Sequence, residues 1–551
     1  MPRNVRRAGD RAILVECASW REALLLTREL LSHPFGGQEE VIQGEASVLA
    51  AFADSRSARA AQVLLREQAA AALTPEPARQ VRVDVVYDGP DLDAVGELTG
   101  LGPSGVARVH AETTWTVAFA GFAPGFAYLI APHERLRVAR RTEPRTRVPT
   151  GSVALGGTYS AVYPRESPGG WHLIGRSPTV MWDVEQDPPA TLQPGDQVTF
   201  TPVRDAVSLI PPSAATPKPA EKTGEKPAKA PASPALIIDK PGFYATIQDT
   251  GRRGLGHLGV GRSGALDARS LAEANRLAGN QAGAAGVEIA PGGFECRAVG
   301  DLVLAVTGAT ASLTIGGPGG DERPAPFRTP FLLRDGERLS FGAPRAGFRF
   351  YLAVRGGVAV TPVLGSRSTD TLSSLGPPPL RGGVVIPVGA EEAGEVWYAD
   401  EAPAEPASEP VKEPAKERPV ALPVALGPRD DLFAAEAVEH LFGSTWTVAT
   451  AADRVGLRLS SGDGPLPVEA AGELPSEGMA TGSIQVPPSG NPILFLNDHP
   501  VTGGYPVIGV VSTDALRLAA QLAPGDQIVF ERAGDAGDTA DAGRASEVAS
   551  A

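Results

Sequence analysis

The chain has 551 residues, 42% hydrophobic and 21% charged, with a net charge of −14. It is too long for one core, has the balance of a soluble globular protein, and lacks the basic stripe that binding nucleic-acid phosphates requires. Cys17 and Cys296 are too few for a disulfide framework, and the seven scattered histidines show no metal-ligand spacing, so no structural metal is expected.

At the N-terminus, "RAILVE" reads as a strand and "WREALLLTRELLSH" as a helix. "SVLAAFAD" follows as a strand, "SARAAQVLLREQAAAAL" as a second helix and "QVRVDVVYD" as a strand. This β-α-β-α-β order predicts a small α/β sandwich over residues 1–80. Short β-branched and aromatic runs punctuated by Gly, Pro and Asp then predict a β-barrel or sandwich over 81–204, ending in "DQVTFTPV". Residues 205–235 and 399–420 are rich in Pro, Ala, Lys and Glu and read as disordered linkers. They hold six of the seven lysines, Lys218, Lys222, Lys226, Lys229, Lys412 and Lys416, and leave only Lys240 to the folded protein. That excludes a Walker A lysine and a biotin-accepting lysine, so any phosphate here must be met by arginines, backbone N–H groups or a metal ion. A second barrel is expected over 236–398, from "DLVLAVTGA" and "RFYLAVRGGVAV", with one helix from Leu266, "LDARSLAEANRLAG". A third spans 421–532, with the helix "DDLFAAEAVEHLFG" and the strand "NPILFLND", and residues 533–551 read as a disordered tail. No run of about 18 apolar residues is present, so no membrane span and a cytoplasmic location are expected.

Two of the predicted barrels share text. "GGWHLIG" at 169–175 is matched by "GGYPVIG" at 503–509. Gly-Ser-apolar, Gly-Gly-aromatic, Ile-Gly and Pro-Gly-Asp recur in the same order around both, closing in "LQPGDQVTF" and "LAPGDQIVF". A fainter ending, "LRDGERLSF" at 333–341, suggests three related units, each closed by a turn and a short strand.

Chemistry-bearing residues gather in loops. "GLGHLG" at 254–259 matches G-x-G-x-x-G formally, but no buried strand precedes it, so it reads as a turn-rich loop rather than a dinucleotide site. The surrounding run packs Gln248, Asp249, Arg252, Arg253, His257, Arg262, Ser263 and Asp267 among glycines, the composition of a binding loop. Arg137, Arg140, Arg141, Arg145 and Arg147 form either an anion-binding edge or a solvated face. His172 is the best general acid/base candidate, with a structural histidine as the alternative. Pro506 stands in its place in the second copy, so the fold pattern does not demand it.

The motifs "GFAPGFAYL", "PRTRVPTGSVALGG", "YPRESPGGWHLIGRSP" and "LQPGD" resemble allophanate hydrolase subunit 1, also called the 5-oxoprolinase B subunit. "IQDTGRRG", "SGALD", "NRLAGN", "LGSRSTD", "DRVGLRL", "SEGMATGSIQVPPSGNPI" and "TGGYPVIG" resemble allophanate hydrolase subunit 2, or the 5-oxoprolinase C subunit. The resemblance implies a natural fusion of the two, mainly β, with a small α/β N-terminal domain and three cyclophilin-like barrels assembled around a shared site. It implies the B and C components of an ATP-dependent 5-oxoprolinase that needs a separate A-type subunit and opens the lactam of 5-oxoproline to L-glutamate, with Mg2+ accompanying ATP. His172, Asp249 and Asp267 are then the catalytic candidates. Substrate or nucleotide binding falls to Arg165, Ser167, Gly169, Gly170, Arg176, Gln248, Arg252, Ser263, Glu288, Arg367, Arg454, Glu477, Gln485, Asp498, Gly503 and Gly504. Within these sets Arg176, Arg252, Arg367 and Arg454 are expected to meet phosphate. Asp249, Asp267, Glu288 and Asp498 are expected to meet Mg2+ or orient the lactam. The same modules also resemble a biotin-dependent carboxyltransferase acting on urea or a similar amide, and a regulator of a sensor histidine kinase.

Overall fold

The computed structural model describes residues 3–67, 78–204, 234–390, 394, 396, 419–468 and 474–533. The expected linkers and tail, with all lysines but Lys240, and the end of the second expected helix lie outside the described residues, apart from a few flanking positions.

The N-terminal unit is a four-stranded sheet in the order Val5–Arg7, Ala12–Glu16, Ser47–Phe52, Gln38–Gln43, every pairing antiparallel. Alternation along the strands sends Ile13, Val15, Val48 and Ala50 to one face, where they pack on Ala23, Leu26 and Leu30 of helix Trp20–Ser32 and on Ala58, Ala61 and Leu65 of helix Ser55–Glu67. Leu14, Ile42 and Leu49 point the other way, against Val501 of the C-terminal barrel. A sheet covered on both faces reads as a continuous apolar run, which is how "AILVE" is written. Two details differ from expectation. "QVRVDVVYD" does not belong to this sheet, because Gln80–Val85 pairs in parallel with Gln197–Pro202 of the next unit. The polar strand Gln38–Gln43, "QEEVIQ", has too few apolar residues to read as a strand in sequence, yet it forms the outer edge of the sheet.

The first and last barrels share one topology. The first orders its strands His172–Arg176, Ser152–Gly156, Tyr159–Val162, Ala127–Ile130, Thr114–Ala120, Gln197–Pro202, Gln80–Val85. The last follows the same path through Val507–Val511, Ser483–Gln485, Ile493–Phe495, Gly456–Ser461, Thr445–Val448, Gln527–Arg532 and Val420–Leu426, and closes on itself. In the first, a single bridge between Val86 and Arg176 makes the equivalent closure. The repeated motifs therefore occupy equivalent strands. A further repeat, "TWTVA" at 114–118 and 445–449, becomes visible with the fold. Trp115 and Trp446 are buried, and their indole N–H groups donate to His110 O at 3.1 Å and Leu441 O at 3.0 Å near the ends of the preceding helices Gly102–Glu112 and Ala435–Gly443. Trp446→Phe removes that bond and leaves space where the second ring of the buried indole lay, so we expect a loss of about 1–3 kcal/mol in denaturant melting of the last barrel. Helices Leu92–Thr99 and Gly102–Glu112 are additions to the expected elements, because Gly96, Gly100, Gly102 and Pro103 resemble breakers in sequence.

The middle unit is different. Its nine-stranded sheet is dominated by two long antiparallel strands, Leu302–Gly316 and Arg338–Val354. The expected third ending is a correction: Arg338 to Phe341 begins the second long strand rather than closing a unit, so it is no counterpart of Gln197–Pro202. The architecture is otherwise the expected one, mainly β with a small α/β unit at the N-terminus. No helix among the described residues is long and apolar enough to cross a membrane.

Candidate functional site

A cleft of about 760 Å³ opens where the N-terminal sheet, the middle unit and the last barrel meet. Glu39, Glu40 and Ile42 form one wall; Arg253, Gly261 and Ser263 of the glycine-rich loop form another; Thr481, Asn497 and His499 of the last barrel complete it. The loop is fastened to the N-terminal strand by both glutamates. Glu39 accepts Arg253 Nη1 at 2.7 Å and Arg262 Nη1 at 3.1 Å. Glu40 accepts the backbone N–H of Gly254 at 3.1 Å and of Gly256 at 2.7 Å. A Cβ on Gly256 would stand 2.6 Å from Ile42 Cγ1, so only glycine brings this backbone so close to the strand. Burial pushes the Glu40 carboxyl up to about 7 despite the backbone donors it holds.

Behind the cleft wall lies a buried ionic network. Arg454, 3% exposed, donates through Nε and Nη2 to both oxygens of Asp498 at 3.0 and 2.9 Å, through Nη1 to Glu288 Oε1, and through Nη2 to Gly264 O at 2.7 Å. Glu288 also accepts the Leu266 N–H and the Tyr351 hydroxyl, both at 2.9 Å. Asp498 accepts the Thr371 N–H at 3.0 Å and lies 2.7 Å from the Ser263 hydroxyl, with Ser263 in a left-handed conformation at φ 54°. Burial alone would raise the Asp498 carboxyl, but the charge and hydrogen bonds of Arg454 outweigh it and hold it below the usual carboxylate range. The same partnership raises Arg454 against its own desolvation. This network joins the middle unit to the last barrel.

The expected site residues divide between structural and accessible roles. Asp249 lines the cleft, but its carboxylate organises the loop, accepting Gly251 N–H, Ser366 and Ser368 hydroxyls and Arg367 N–H. Asp267 caps helix Ala268–Leu277, accepting Ser270 N–H at 3.0 Å, rather than facing a reaction. With Glu288 and Asp498 committed as described, none of the four carboxylates expected at Mg2+ is free to hold it. Among the described residues no group of three or more His, Cys, Asp or Glu forms a metal site. The four arginines expected to meet phosphate all have protein partners. Arg454 is consumed by carboxylates, and Arg176 pairs with Asp88 on the surface. Arg252 is buried with bonds to Val363 O and Ser368 O, and Arg367 reaches Val360 O.

Gln248 is buried, donating to Thr246 and Thr369 O. His172 lies away from the cleft in a strand of the first barrel, with Nε2 3.0 Å from Ala139 O and Nδ1 without a partner. Ser167 and Gly169 belong to the two-stranded ladder with Arg145–Val148, and Gly170 O accepts Arg141 N–H. In the second copy, Glu477 binds Arg429, which also holds Glu16 of the N-terminal sheet. Gln485 donates to Tyr505 O at 3.1 Å, Gly503 pairs with Glu477, and Gly504 O accepts Leu474 N–H. Each copy is linked to other units. Arg165 donates to Ser374 at 3.1 Å and to Leu372 O in the middle unit, while Thr502 accepts the Phe122 N–H at 3.1 Å from the first barrel.

Sequence reasoning missed Glu39 and Glu40, whose signal was the two adjacent charges of "QEEVIQ".

Two family models match: carboxyltransferase domain, subdomain C and D, over residues 3–192, and carboxyltransferase domain, subdomain A and B, over residues 258–532. The chain is 44% identical over 139 residues to the 5-oxoprolinase B subunit of Escherichia coli O157:H7, a match covering 25% of this chain and 63% of that protein. It is 33% identical over 299 residues to the 5-oxoprolinase C subunit of Escherichia coli strain K12, covering 54% of this chain and 90% of that one. Urea amidolyase of Lachancea kluyveri is 31% identical over 314 residues, 54% of this chain but 17% of that enzyme. The crystal structure of TTHA0988 superposes with a TM-score of 0.77 at 34% identity, covering 95% of this chain and 100% of that one.

Proposed function

Because the chain belongs to the carboxyltransferase-domain family, with a half like the 5-oxoprolinase B protein followed by a half like the C protein, we propose that it is the joined B and C component of an ATP-dependent 5-oxoprolinase. With a separate A-type subunit it opens the lactam of 5-oxoproline to L-glutamate. The observation that carries this reading is the cleft itself, whose walls come from both halves and whose glycine-rich loop is held by Glu39 and Glu40 across the junction.

A lactam is a stable amide, and phosphorylating its oxygen creates a leaving group and an electrophilic carbon. ATP supplies that phosphoryl group, accompanied by Mg2+. The four carboxylates expected at the ion do not fit it, each being held by protein donors. Arginines of the cleft suit the anionic parts of the reactants. Arg253 and Arg262 are oriented by Glu39, while Arg269 and Arg517 also line the cleft. Fixing the loop before substrate arrives places these groups without further loss of chain entropy.

The similarity to urea amidolyase favours a second reading, carboxyl transfer from biotin carried on another chain to urea or a related amide. The test is ATP-dependent glutamate release from 5-oxoproline, measured with the purified chain alone and with a candidate A-type partner. We expect release only with the partner. Absence of release in both conditions, with Mg2+ present, overturns the 5-oxoprolinase reading and puts carboxyl transfer in its place.

A further inference from the structure

A base that removes an amide N–H proton leaves the amide oxygen or nitrogen free to act as a nucleophile. The carboxylates lining the cleft are occupied with other work. Asp10 accepts the Thr513 hydroxyl at 2.9 Å and its N–H at 3.2 Å, Asp514 pairs with Arg11, and Asp249 ties the glycine-rich loop. Glu39 holds two arginines, and each oxygen of Glu40 takes one loop N–H. His499 is the one histidine among the residues lining the cleft. His172, the histidine expected from sequence to do acid/base work, lies outside it.

The neighbours of His499 fix which ring nitrogen is free. Nδ1 lies 2.8 Å from Pro500 O, a carbonyl that only accepts, so Nδ1 carries the proton. Nε2 is then a lone pair, 3.2 Å from the Thr481 hydroxyl, which donates to it. Burial holds the ring below the ordinary histidine range, against the Pro500 bond and the charge of Asp498, so the ring stays neutral near neutral pH. Asp498 is itself matched by Arg454. The ring is 8% exposed with Phe495 against it, whereas Thr481 is half-buried, so the hydroxyl is the more accessible end of the pair.

We infer that Thr481 and His499 form the proton acceptor of the cleft, Thr481 Oγ1 taking the N–H proton of a bound amide while passing its own to His499 Nε2. The N–H electron pair stays on the amide. In lactam activation C–N then becomes C=N, the carbonyl oxygen bonds to the phosphoryl group, and the departing nucleotide keeps the electron pair of the bond that breaks. In carboxyl transfer the nitrogen bonds to the carboxyl carbon instead, and biotin departs with its electron pair, taking the proton back from Nε2. The inference rests on the reading of the cleft as the reaction site, and holds for either reaction.

The test combines a spectrum and kinetics on the full chain. In nitrogen NMR of the histidine-labelled chain, the His499 signals, assigned by their loss in His499→Asn, are expected to show a protonated Nδ1 and an unprotonated Nε2. His499→Asn keeps a donor towards Pro500 O and removes Nε2, while Thr481→Val keeps the shape and removes the hydroxyl. Both variants are expected to melt as the parent does and to lose at least about a hundredfold in kcat, with KM for the amide little changed. Thr481→Ser returns the hydroxyl and is expected to recover most of the rate lost in Thr481→Val. The assays are glutamate release from 5-oxoproline with the A-type partner and carboxylation of urea from carboxybiotin, compared in whichever reaction the parent carries. A parent chain active in neither removes the amide reading of the cleft, and the inference with it. Parent-like kcat in either variant of an active chain, or a protonated Nε2, overturns the inference alone.

Discussion

Replacing Arg454 by methionine should destabilise the chain by about 3–5 kcal/mol, the range for breaking a buried ion pair by removing one partner. Methionine fills similar space, so the loss is electrostatic. Asp498 and Glu288, 1% and 4% exposed, would keep their burial and lose the guanidinium that offsets it. Thr371, Ser263, Leu266 and Tyr351 still donate to them, which bounds the damage without removing it. Denaturant unfolding followed by near-ultraviolet circular dichroism is the measurement. A triple change, Arg454→Met with Asp498→Asn and Glu288→Gln, should recover part of the loss, since no charge is then stranded. Equal stability of the single variant and the parent would show that the network adds nothing to the junction.

Glu40→Ala should free the glycine-rich loop. It removes the acceptor of the part-buried Gly254 and Gly256 N–H groups, at about 0.5–1.5 kcal/mol for each bond lost. Hydrogen exchange at those two amides should accelerate by more than about tenfold while exchange in the barrel strands stays unchanged. The pH dependence has a defined sign. The folded-state value of about 7 lies above the ordinary glutamate value of 4.5, so the stabilisation is fully present below about 4.5 and fades as pH rises through 7. The groups facing Glu40 include Arg262, whose charge opposes the shift, and neighbouring Glu39. We expect the thermal midpoint to fall between about pH 4.5 and 7.5, and the part due to this residue to vanish in Glu40→Gln. An identical pH profile in parent and Gln variant would remove Glu40 as its origin.

Local patterns told more about the fold than about the site. Strand alternation, Gly-Gly-aromatic turns and Pro-Gly-Asp endings depend on near neighbours, and they identified two barrels that prove to share one topology. Helices Leu92–Thr99 and Gly102–Glu112 were lost because glycine and proline at their ends mimic loop chemistry. The site was legible as a set of loops and not as roles. Asp249, Asp267, Glu288 and Asp498 look alike as exposed-type carboxylates in sequence. Only the fold shows that one ties a loop, one caps a helix and two hold Arg454. Glu39 and Glu40 act on residues more than 200 positions away, a distance no local pattern spans.

In both repeated barrels the first strand lies parallel to the last, with Gln80 beside Gln197 and Val420 beside Ile528. In the first, the paired residues are 117 positions apart. A ribosome delivers the chain from the N-terminus, so each opening strand emerges long before its neighbour exists. Until the closing strand arrives, two sheet edges remain unpaired and open to other chains. Nascent chains stalled just before Gln197 or Gln527 should therefore be the most aggregation-prone intermediates of synthesis. The few residues after each Pro-Gly-Asp turn set the moment at which a growing barrel becomes safe.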